Sequence, residues 1–318
     1  MMTKLAFVFP GQGSQVIGMG QDVYEQVGSA RSLFEKANEC LENGFTDLIF
    51  KGEQETLTLT QNAQPALLTT SMALYKTFLE RGGKAPDFAA GHSLGEYTAY
   101  TAMGALSFED AVKLVRKRGL FMEAAVPAGE GAMSAILGIE EAALLDVVST
   151  ITESGHPVQL ANINSPGQIV ISGTSEGVRL ATELAKERGA KRCLPLVVSG
   201  PFHSSLMKPA ASQLEETLNG IQISEPHSPV VANYTAMPVA LNEIKASLVH
   251  QLYSPVRWQQ SIEFMIGEGT DIFVEFGPGT VLSGLIKKIN RKVRTYSIRD
   301  LETCDEVIAQ LKGEMANG

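Results

Sequence analysis

The stretch DFAAGHSLGEYTAY, residues 87–100, joins a short apolar segment to a run of small residues suited to a helix, and a serine sits at the join. Gly91 and Gly95 stand two positions to either side of Ser93. A strand that turns sharply into a helix around G-x-S-x-G holds the serine hydroxyl clear of the backbone, and glycine suits such a turn because it has no side chain. The same pentapeptide also occurs in ordinary turns, so the rest of the chain must decide whether this is a nucleophile elbow.

The composition bounds the class of protein. The chain has 318 residues, a net charge of −9, 44% hydrophobic residues and three scattered cysteines without a C-x-x-C pair. A negative balance argues against non-specific nucleic-acid binding, and the cysteines fit a reducing compartment without a zinc site. The apolar run LAFVF is too short for a signal-peptide core or a membrane span. We therefore expect a cytoplasmic protein that has no metal site and binds neither nucleic acid nor membrane. Separately, we expect it to be a monomer.

The chain on both sides of the elbow alternates strands with helices. Residues 4–9, KLAFVF, form a continuous apolar run typical of a strand buried on both faces. Residues 63–81 carry a helical apolar stripe, and Ser107 with Asp110 resembles a capping box that opens a helix to about Ala124. This order predicts the α/β class.

The order of predicted strands and helices changes after a linker at Pro127–Gly131. Over residues 131–198 the pattern predicts the order β-α-β-β-α-β, which is that of a ferredoxin-like subdomain. We predict a discontinuous large α/β domain from residues 1–128 and 199–318, with a small subdomain at 129–198 inserted into it.

The first loop, PGQGSQ at residues 10–15, does not suit nucleotide binding. The third glycine of a G-x-G-x-x-G fingerprint would fall at Val16, and no G-x-x-x-x-G-K-[ST] sequence occurs. A glycine-flanked polar residue such as Gln12 can instead point its side chain or amide at a neighbouring site. Oxyanion holes of serine acyl enzymes take one donor from such a loop and another from the residue after the serine.

Arg118 falls on the apolar stripe of the helix predicted over residues 108–124. A guanidinium on a core-facing stripe requires a carboxylate or several carbonyl groups, because an unpaired buried charge costs several kcal/mol. The partner is either an internal acid or an anionic substrate, and the pattern leaves both open.

His203 has the best position for a general base, because it follows a predicted strand, where open α/β sheets place their sites. His92 is part of the elbow, and the three other histidines lie in turns or within a helix. The order serine, acid, histidine would require an acid between Ser93 and His203. Asp110 belongs to a helix start and Asp146 to the subdomain, so either the acid lies elsewhere or a backbone carbonyl orients the histidine.

Seven motifs in order give the chain a family resemblance: FPGQGSQ, GHSLGE, RG.FM, NSPGQIVISG, PFHS..M.PA, QLYSPVRW and GPG.VL.GL. With them the chain resembles the malonyl-CoA:acyl carrier protein transacylases, the malonyl-loading enzymes of type II fatty acid synthesis, over essentially its whole length. The resemblance implies an α/β-hydrolase-like core with an inserted ferredoxin-like subdomain.

The resemblance also implies roles for single residues. Ser93 would be the nucleophile, His203 the base, and the backbone carbonyl of Gln251 would orient the histidine in place of an acid. Arg118 would bind the malonyl carboxylate. The other implied site residues are the oxyanion-hole pair Gln12 and Leu94, and Asn162 and Phe202 at the substrate cleft. One departure is the proline before Phe202, where several relatives have alanine or serine, and it concerns the shape of the acyl pocket.

The implied reaction is ping-pong transfer of malonyl from malonyl-CoA to Ser93 and on to the phosphopantetheine thiol of acyl carrier protein, with no metal and no bound cofactor. One rival is a serine esterase or thioesterase on a similar core, which would have no use for Arg118. Another is a catalytically idle acyltransferase module of a larger synthase.

The basic segment KKINRKVR, residues 287–294, would either steer an acidic carrier protein or complement a helix dipole.

Overall fold

The computed structural model describes residues 4–41, 44–127, 129–198 and 200–316. They contain strands β1–β9, at Lys4–Phe9, Phe88–Gly91, Gly131–Leu137, Val158–Ser165, Gln168–Thr174, Arg192–Pro195, Val230–Val231, Thr270–Phe276 and Arg294–Ile298. They also contain helices α1–α14, at Gln21–Gln26, Gly28–Cys40, Phe45–Lys51, Gln54–Thr58, Thr60–Glu80, Leu94–Ala102, Phe108–Ala124, Glu141–Glu153, Ser175–Glu187, Lys208–Asn219, Ile244–Gln251, Trp258–Gly267, Val281–Ile289 and Leu301–Ala316. In this part of the chain no helix combines the length and apolarity that crossing a membrane requires.

The larger sheet is parallel and has the strand order β7-β2-β1-β8-β9. Its central strand β1 is apolar and buried from Leu5 to Phe9 because it faces a core on each side. Phe7 and Phe9 pack into one hydrophobic cluster, whereas Ala6 and Val8 pack into another. This two-sided burial confirms the prediction for KLAFVF.

The smaller sheet is antiparallel, with the order β4-β5-β3-β6, and helices α8 and α9 pack against it. It has a hydrophobic cluster of its own, which includes Ile136, Val147 and Ile171. The predicted β-α-β-β-α-β order is therefore confirmed. We propose the subdomain bounds 129–198 from this separate core; the flanking residues Ala128 and Ser199 lie outside the described residues.

Backbone pairing joins the small sheet to the rest of the protein. Val256 donates its N–H to the carbonyl of Ala161 at 2.8 Å and accepts from the N–H of Ile163 at 2.9 Å. Both partners lie on β4, and Val256 lies between α11 and α12. The contact therefore ties the small sheet to the segment that follows Gln251.

Helix α5 starts earlier than its apolar stripe suggested, at Thr60 instead of residue 63. It contains Pro65, which has no N–H to donate to the carbonyl of Gln61 four residues before it. Arg116 on α7 donates to that carbonyl at 2.9 Å. The proline is therefore accommodated by a contact that also ties α5 to α7.

Candidate active site

Ser93 lies at the junction of β2 and α6, with φ 52° and ψ −106°. A positive φ is uncommon for a residue other than glycine and is kept only where neighbours enforce it. Asn233 Oδ1 accepts the Ser93 N–H at 2.8 Å, and Gln251 Nε2 donates to the Ser93 carbonyl at 2.9 Å. Both main-chain groups of the serine are thus held by side chains from distant segments.

The two elbow glycines are required for space. A Cβ on Gly91 would lie 1.8 Å from the carbonyl carbon of Gly95, and a Cβ on Gly95 would lie 2.0 Å from the carbonyl oxygen of Phe9. Neither glycine has a positive φ, whereas Ser93 does. These distances agree with the expectation that glycine suits the elbow because it has no side chain: the two glycines allow the strand and the helix to approach closely, and the residue with the positive φ is the serine itself.

His203 joins the serine to a backbone carbonyl. Its Nε2 lies 2.8 Å from Ser93 Oγ, and its Nδ1 lies 2.8 Å from the carbonyl oxygen of Gln251. A carbonyl can only accept, so Nδ1 carries the proton and Nε2 is left to accept from the serine hydroxyl. Of the two alternatives that the sequence left open, this geometry corresponds to orientation by a carbonyl.

The route by which His203 reaches the site differs from the expected one. The preceding strand β6 ends at Pro195 and belongs to the antiparallel sheet, so the argument from the end of a parallel strand was wrong. His203 instead occupies a turn with φ 57°. Gln159 on β4 holds that turn, because its Nε2 donates to the carbonyl of His203 at 3.3 Å and its Oε1 accepts the Ser205 N–H at 2.9 Å.

His203 is only 3% exposed. Burial, and after it the nearby Arg118 guanidinium, lower its pKa from 6.5 to about 3, although the hydrogen bond to Gln251 opposes the shift. The imidazole is consequently neutral at pH 7, which is the form that a general base needs.

This shift has a direct test by NMR. The His203 ring resonances should show no titration between pH 8 and pH 5, whereas the urea-unfolded protein should show the ordinary histidine transition near 6.5. Since the unfolded chain binds the proton first, the contribution of His203 to stability is present above pH 6.5 and is lost as the pH falls towards 3. A folded-state transition near 6.5 would contradict the assigned environment.

Arg118 is 1% exposed and lies beside the serine. Its Nη2 is 3.1 Å from Ser93 Oγ and 2.9 Å from Gln251 Oε1, and its Nη1 is 2.8 Å from Gln64 Oε1. The guanidinium also lies over the ring of Tyr97, 5.1 Å from its centroid. Burial lowers the pKa of the guanidinium. Within the described ranges no acid forms an ion pair with this arginine, so the nucleophile has a buried cation beside it whose direct contacts are neutral.

A cavity of about 180 Å³ opens at Ser93. Leu94 begins α6, so its amide lies at the positive end of that helix. The Gln12 side chain is anchored by donation to Thr60 Oγ1 at 3.2 Å. Of the site residues predicted from the sequence, those that line the cavity are Gln12, Ser93, Leu94, Arg118, Asn162, Phe202 and His203. Gln251 lies behind this wall and reaches the site through its hydrogen bonds.

Sequence reasoning missed several residues that support these groups. Gln64 is a polar residue within the buried stripe of α5, and that contrast was the one available signal for it. Asn233 follows a strand of two residues, which leaves no periodic pattern. In the part of the chain that the structure describes, no group of three or more potential metal ligands occurs.

The sequence profile of the family described as Acyl transferase domain matches residues 6–312. The chain belongs to this family. This acyl transferase is 58% identical over 317 residues to the malonyl CoA-acyl carrier protein transacylase of Bacillus subtilis (strain 168), covering 99% of this chain and 100% of that protein. It is 45% identical over 302 residues to the protein of that name from Staphylococcus aureus (strain MSSA476), covering 95% and 97%. The family resemblance predicted from the seven motifs is confirmed.

Solved structures show the same fold. The malonyl CoA-acyl carrier protein transacylase from Coxiella burnetii superposes on this acyl transferase with a TM-score of 0.95 at 42% identity, covering 98% of each chain. A malonyl-transacylase in complex with its type II PKS acyl-carrier protein superposes with a TM-score of 0.94 at 40% identity, covering 97% of this chain and 100% of that one. The predicted fold class is confirmed.

Proposed function

We propose that this acyl transferase moves malonyl from malonyl-CoA to the phosphopantetheine thiol of acyl carrier protein through a malonyl ester on Ser93, and so supplies extender units for fatty acid biosynthesis. The observation that carries the proposal is the buried Arg118 guanidinium, 3.1 Å from Ser93 Oγ. An esterase or thioesterase that acts on neutral acyl groups has no use for a desolvated cation there. The names of the relatives support the same activity.

In the first half-reaction His203 Nε2 accepts the hydroxyl proton as Ser93 Oγ bonds to the thioester carbonyl carbon. The resulting oxyanion would be stabilised by Gln12 and the Leu94 amide, and by the N-terminus of α6. The carbon–sulfur bond then breaks, and the proton returns from His203 to the sulfur of CoA. The Gln251 carbonyl accepts from Nδ1 throughout and stabilises the imidazolium while it exists.

In the second half-reaction the carrier thiol takes the place of CoA. His203 accepts the thiol proton, the sulfur attacks the malonyl ester, and the proton passes to Ser93 Oγ as the ester bond breaks. Asn162 and Phe202 line the cavity and would border the acyl group. The scheme uses side chains and backbone groups of this chain, with no metal and no bound cofactor.

We further propose that the partner is an acidic carrier protein and that the enzyme is a cytoplasmic monomer that binds neither nucleic acid nor membrane. The net charge of −9 disfavours nucleic acid and anionic lipid. The segment 287–294 is positively charged although the chain as a whole is negative, and Lys287 and Lys288 are exposed at the end of α13. Lys288 donates to Gln168 Oε1 at 2.9 Å, but its charge has no acidic partner among the described residues and can steer an acidic protein.

Intact-mass analysis tests the proposed function. After brief incubation with malonyl-, methylmalonyl- or acetyl-CoA, we expect a malonyl adduct in clear excess over acetyl, and its loss when phosphopantetheinylated carrier protein is added, with the malonyl mass appearing on the carrier. Rapid release of malonate to water with no malonyl-carrier formed would favour the hydrolase instead.

A further inference from the structure

A buried carboxylate, Glu96, stands in the first turn of α6 behind the serine and takes no part in the mechanism above. It is 0% exposed, and its Oε2 accepts from Gln251 Nε2 at 2.7 Å and from the Asn233 N–H at 3.0 Å. A buried carboxyl group is costly unless hydrogen bonds hold it. Its position therefore requires these two donors, and both belong to residues that also contact the catalytic groups.

Gln251 connects this carboxylate to the arginine. Its Nε2 donates to Glu96, and its Oε1 accepts from Arg118 Nη2 at 2.9 Å. A carboxylate can only accept and a guanidinium can only donate, so the Gln251 amide has one orientation between them. Charged groups at both ends polarise the amide and strengthen each hydrogen bond. The chain Glu96–Gln251–Arg118 thereby fixes where Nη2 stands relative to Ser93.

A second branch leads from Glu96 to the elbow. Asn233, whose N–H the carboxylate accepts, receives the Ser93 N–H on its Oδ1 at 2.8 Å and donates from Nδ2 to the carbonyl of Gly91 at 2.7 Å. The carboxylate therefore contacts the residues that brace both the strained serine and the arginine.

We propose that Glu96 is a positioning residue that sets the preference for an acyl group with a terminal carboxylate, by holding the Gln251 side chain and through it the Arg118 guanidinium. The inference rests on the proposed function and specifies how that site distinguishes malonyl from a neutral acyl group. Burial raises the pKa of Glu96 to about 7, against the lowering effect of its hydrogen bonds and of Arg118. Assays at pH 8 keep the group mainly ionised.

The test is a variant series assayed at pH 8 with malonyl-CoA and acetyl-CoA. Glu96→Gln keeps the size of the side chain and removes the charge, so we expect the malonyl-to-acetyl ratio of kcat/KM to fall about tenfold, the change that one weakened hydrogen bond produces, chiefly through a higher KM for malonyl-CoA. Gln251→Ala keeps the main-chain carbonyl that His203 needs and removes the connecting amide. It should lower the ratio at least as far, and adding Glu96→Gln to it should cause no further fall.

Glu275→Gln is the matched control. Glu275 is also fully buried and accepts from the main-chain N–H groups of Leu282 and Ser283, far along the chain from the elbow. Its neutral variant should leave the ratio unchanged even if the Tm falls.

Three results would overturn the inference: equal falls for both substrates in Glu96→Gln that follow the Tm, an unchanged ratio in Gln251→Ala, or additive falls in the double variant. The Gln251→Ala result stands by itself if Glu96→Gln does not fold. Failure of the proposed function is distinguishable, because the wild-type protein would then transfer no malonyl to the carrier protein.

Discussion

Ser93→Ala should leave the protein folded but unable to form an acyl adduct with malonyl-CoA. The hydroxyl is the group that His203 Nε2 contacts, at 2.8 Å, and Ser93 lines the cavity. Alanine removes one atom and keeps the main-chain hydrogen bonds from the elbow to Asn233 and Gln251. Intact mass after denaturation should show no malonyl adduct, and the Tm should remain close to that of the wild type.

Ser205→Ala is the matched control for this loss. Ser205 is exposed, two residues from His203, and its contact with Gln159 is made by its main-chain N–H. This variant should acylate normally. His203→Ala should slow acylation by roughly 10²–10⁴ without preventing it, since the nucleophile remains. A denaturation-stable adduct in Ser93→Ala would refute the assignment of the nucleophile.

The features that could be predicted from the sequence are those with a local pattern. The elbow needs small residues within a short window, and Arg118 can be placed in the core from spacings of three and four along α7. The order of strands and helices in the small subdomain was predictable for the same reason. The hydrogen-bond partners of Arg118 could not be predicted in this way, because Gln64 and Gln251 lie 54 and 133 residues away from it along the chain.

Contacts made by irregular segments have no periodic sequence pattern from which they could be predicted. His203 lies 110 residues from Ser93, and the argument that chose it invoked a strand that belongs to the other sheet. The roles of Asn233 and Glu96 could not be predicted either, because their contacts with the site exist only in the folded chain. The family resemblance supplied the role of the Gln251 carbonyl, which spacing could not indicate because a main-chain group is present at every residue.

Arg118→Ala should remove most activity on malonyl-CoA while activity on acetyl-CoA holds or rises. A planar guanidinium can bind a carboxylate through two parallel hydrogen bonds, and a charge-assisted hydrogen bond contributes roughly 1.5–3 kcal/mol. With acetyl bound, the same desolvated cation has no anion to meet, which adds a penalty against the smaller substrate. Together these effects should give malonyl a preference on the order of 10²–10⁴ in kcat/KM, and the variant should lose it.

Arg118→Lys should recover little of that preference. In the wild type Nη1 donates to Gln64 and Nη2 to Gln251 and Ser93, so two separate nitrogens are used in one plane. A lysine ammonium is a single point and cannot occupy both places. Arg116→Ala controls for loss of a cation from the same helix, because Arg116 contacts the Gln61 carbonyl and the Asn62 side chain outside the cavity.

Steady-state kinetics with both CoA esters, together with the Tm of each variant, distinguish two roles for Arg118: recognition of the substrate carboxylate and a structural bridge. If Arg118→Ala lowered kcat/KM equally for malonyl-CoA and acetyl-CoA and lowered the Tm in parallel, the guanidinium would act as a structural bridge between Gln64 and Gln251. Malonyl selectivity would then have to arise from another group in the cavity. A collapsed ratio with retained acetyl turnover would instead assign recognition of the substrate carboxylate to Arg118, since loss of a structural bridge cannot improve relative activity on the substrate that lacks the charge.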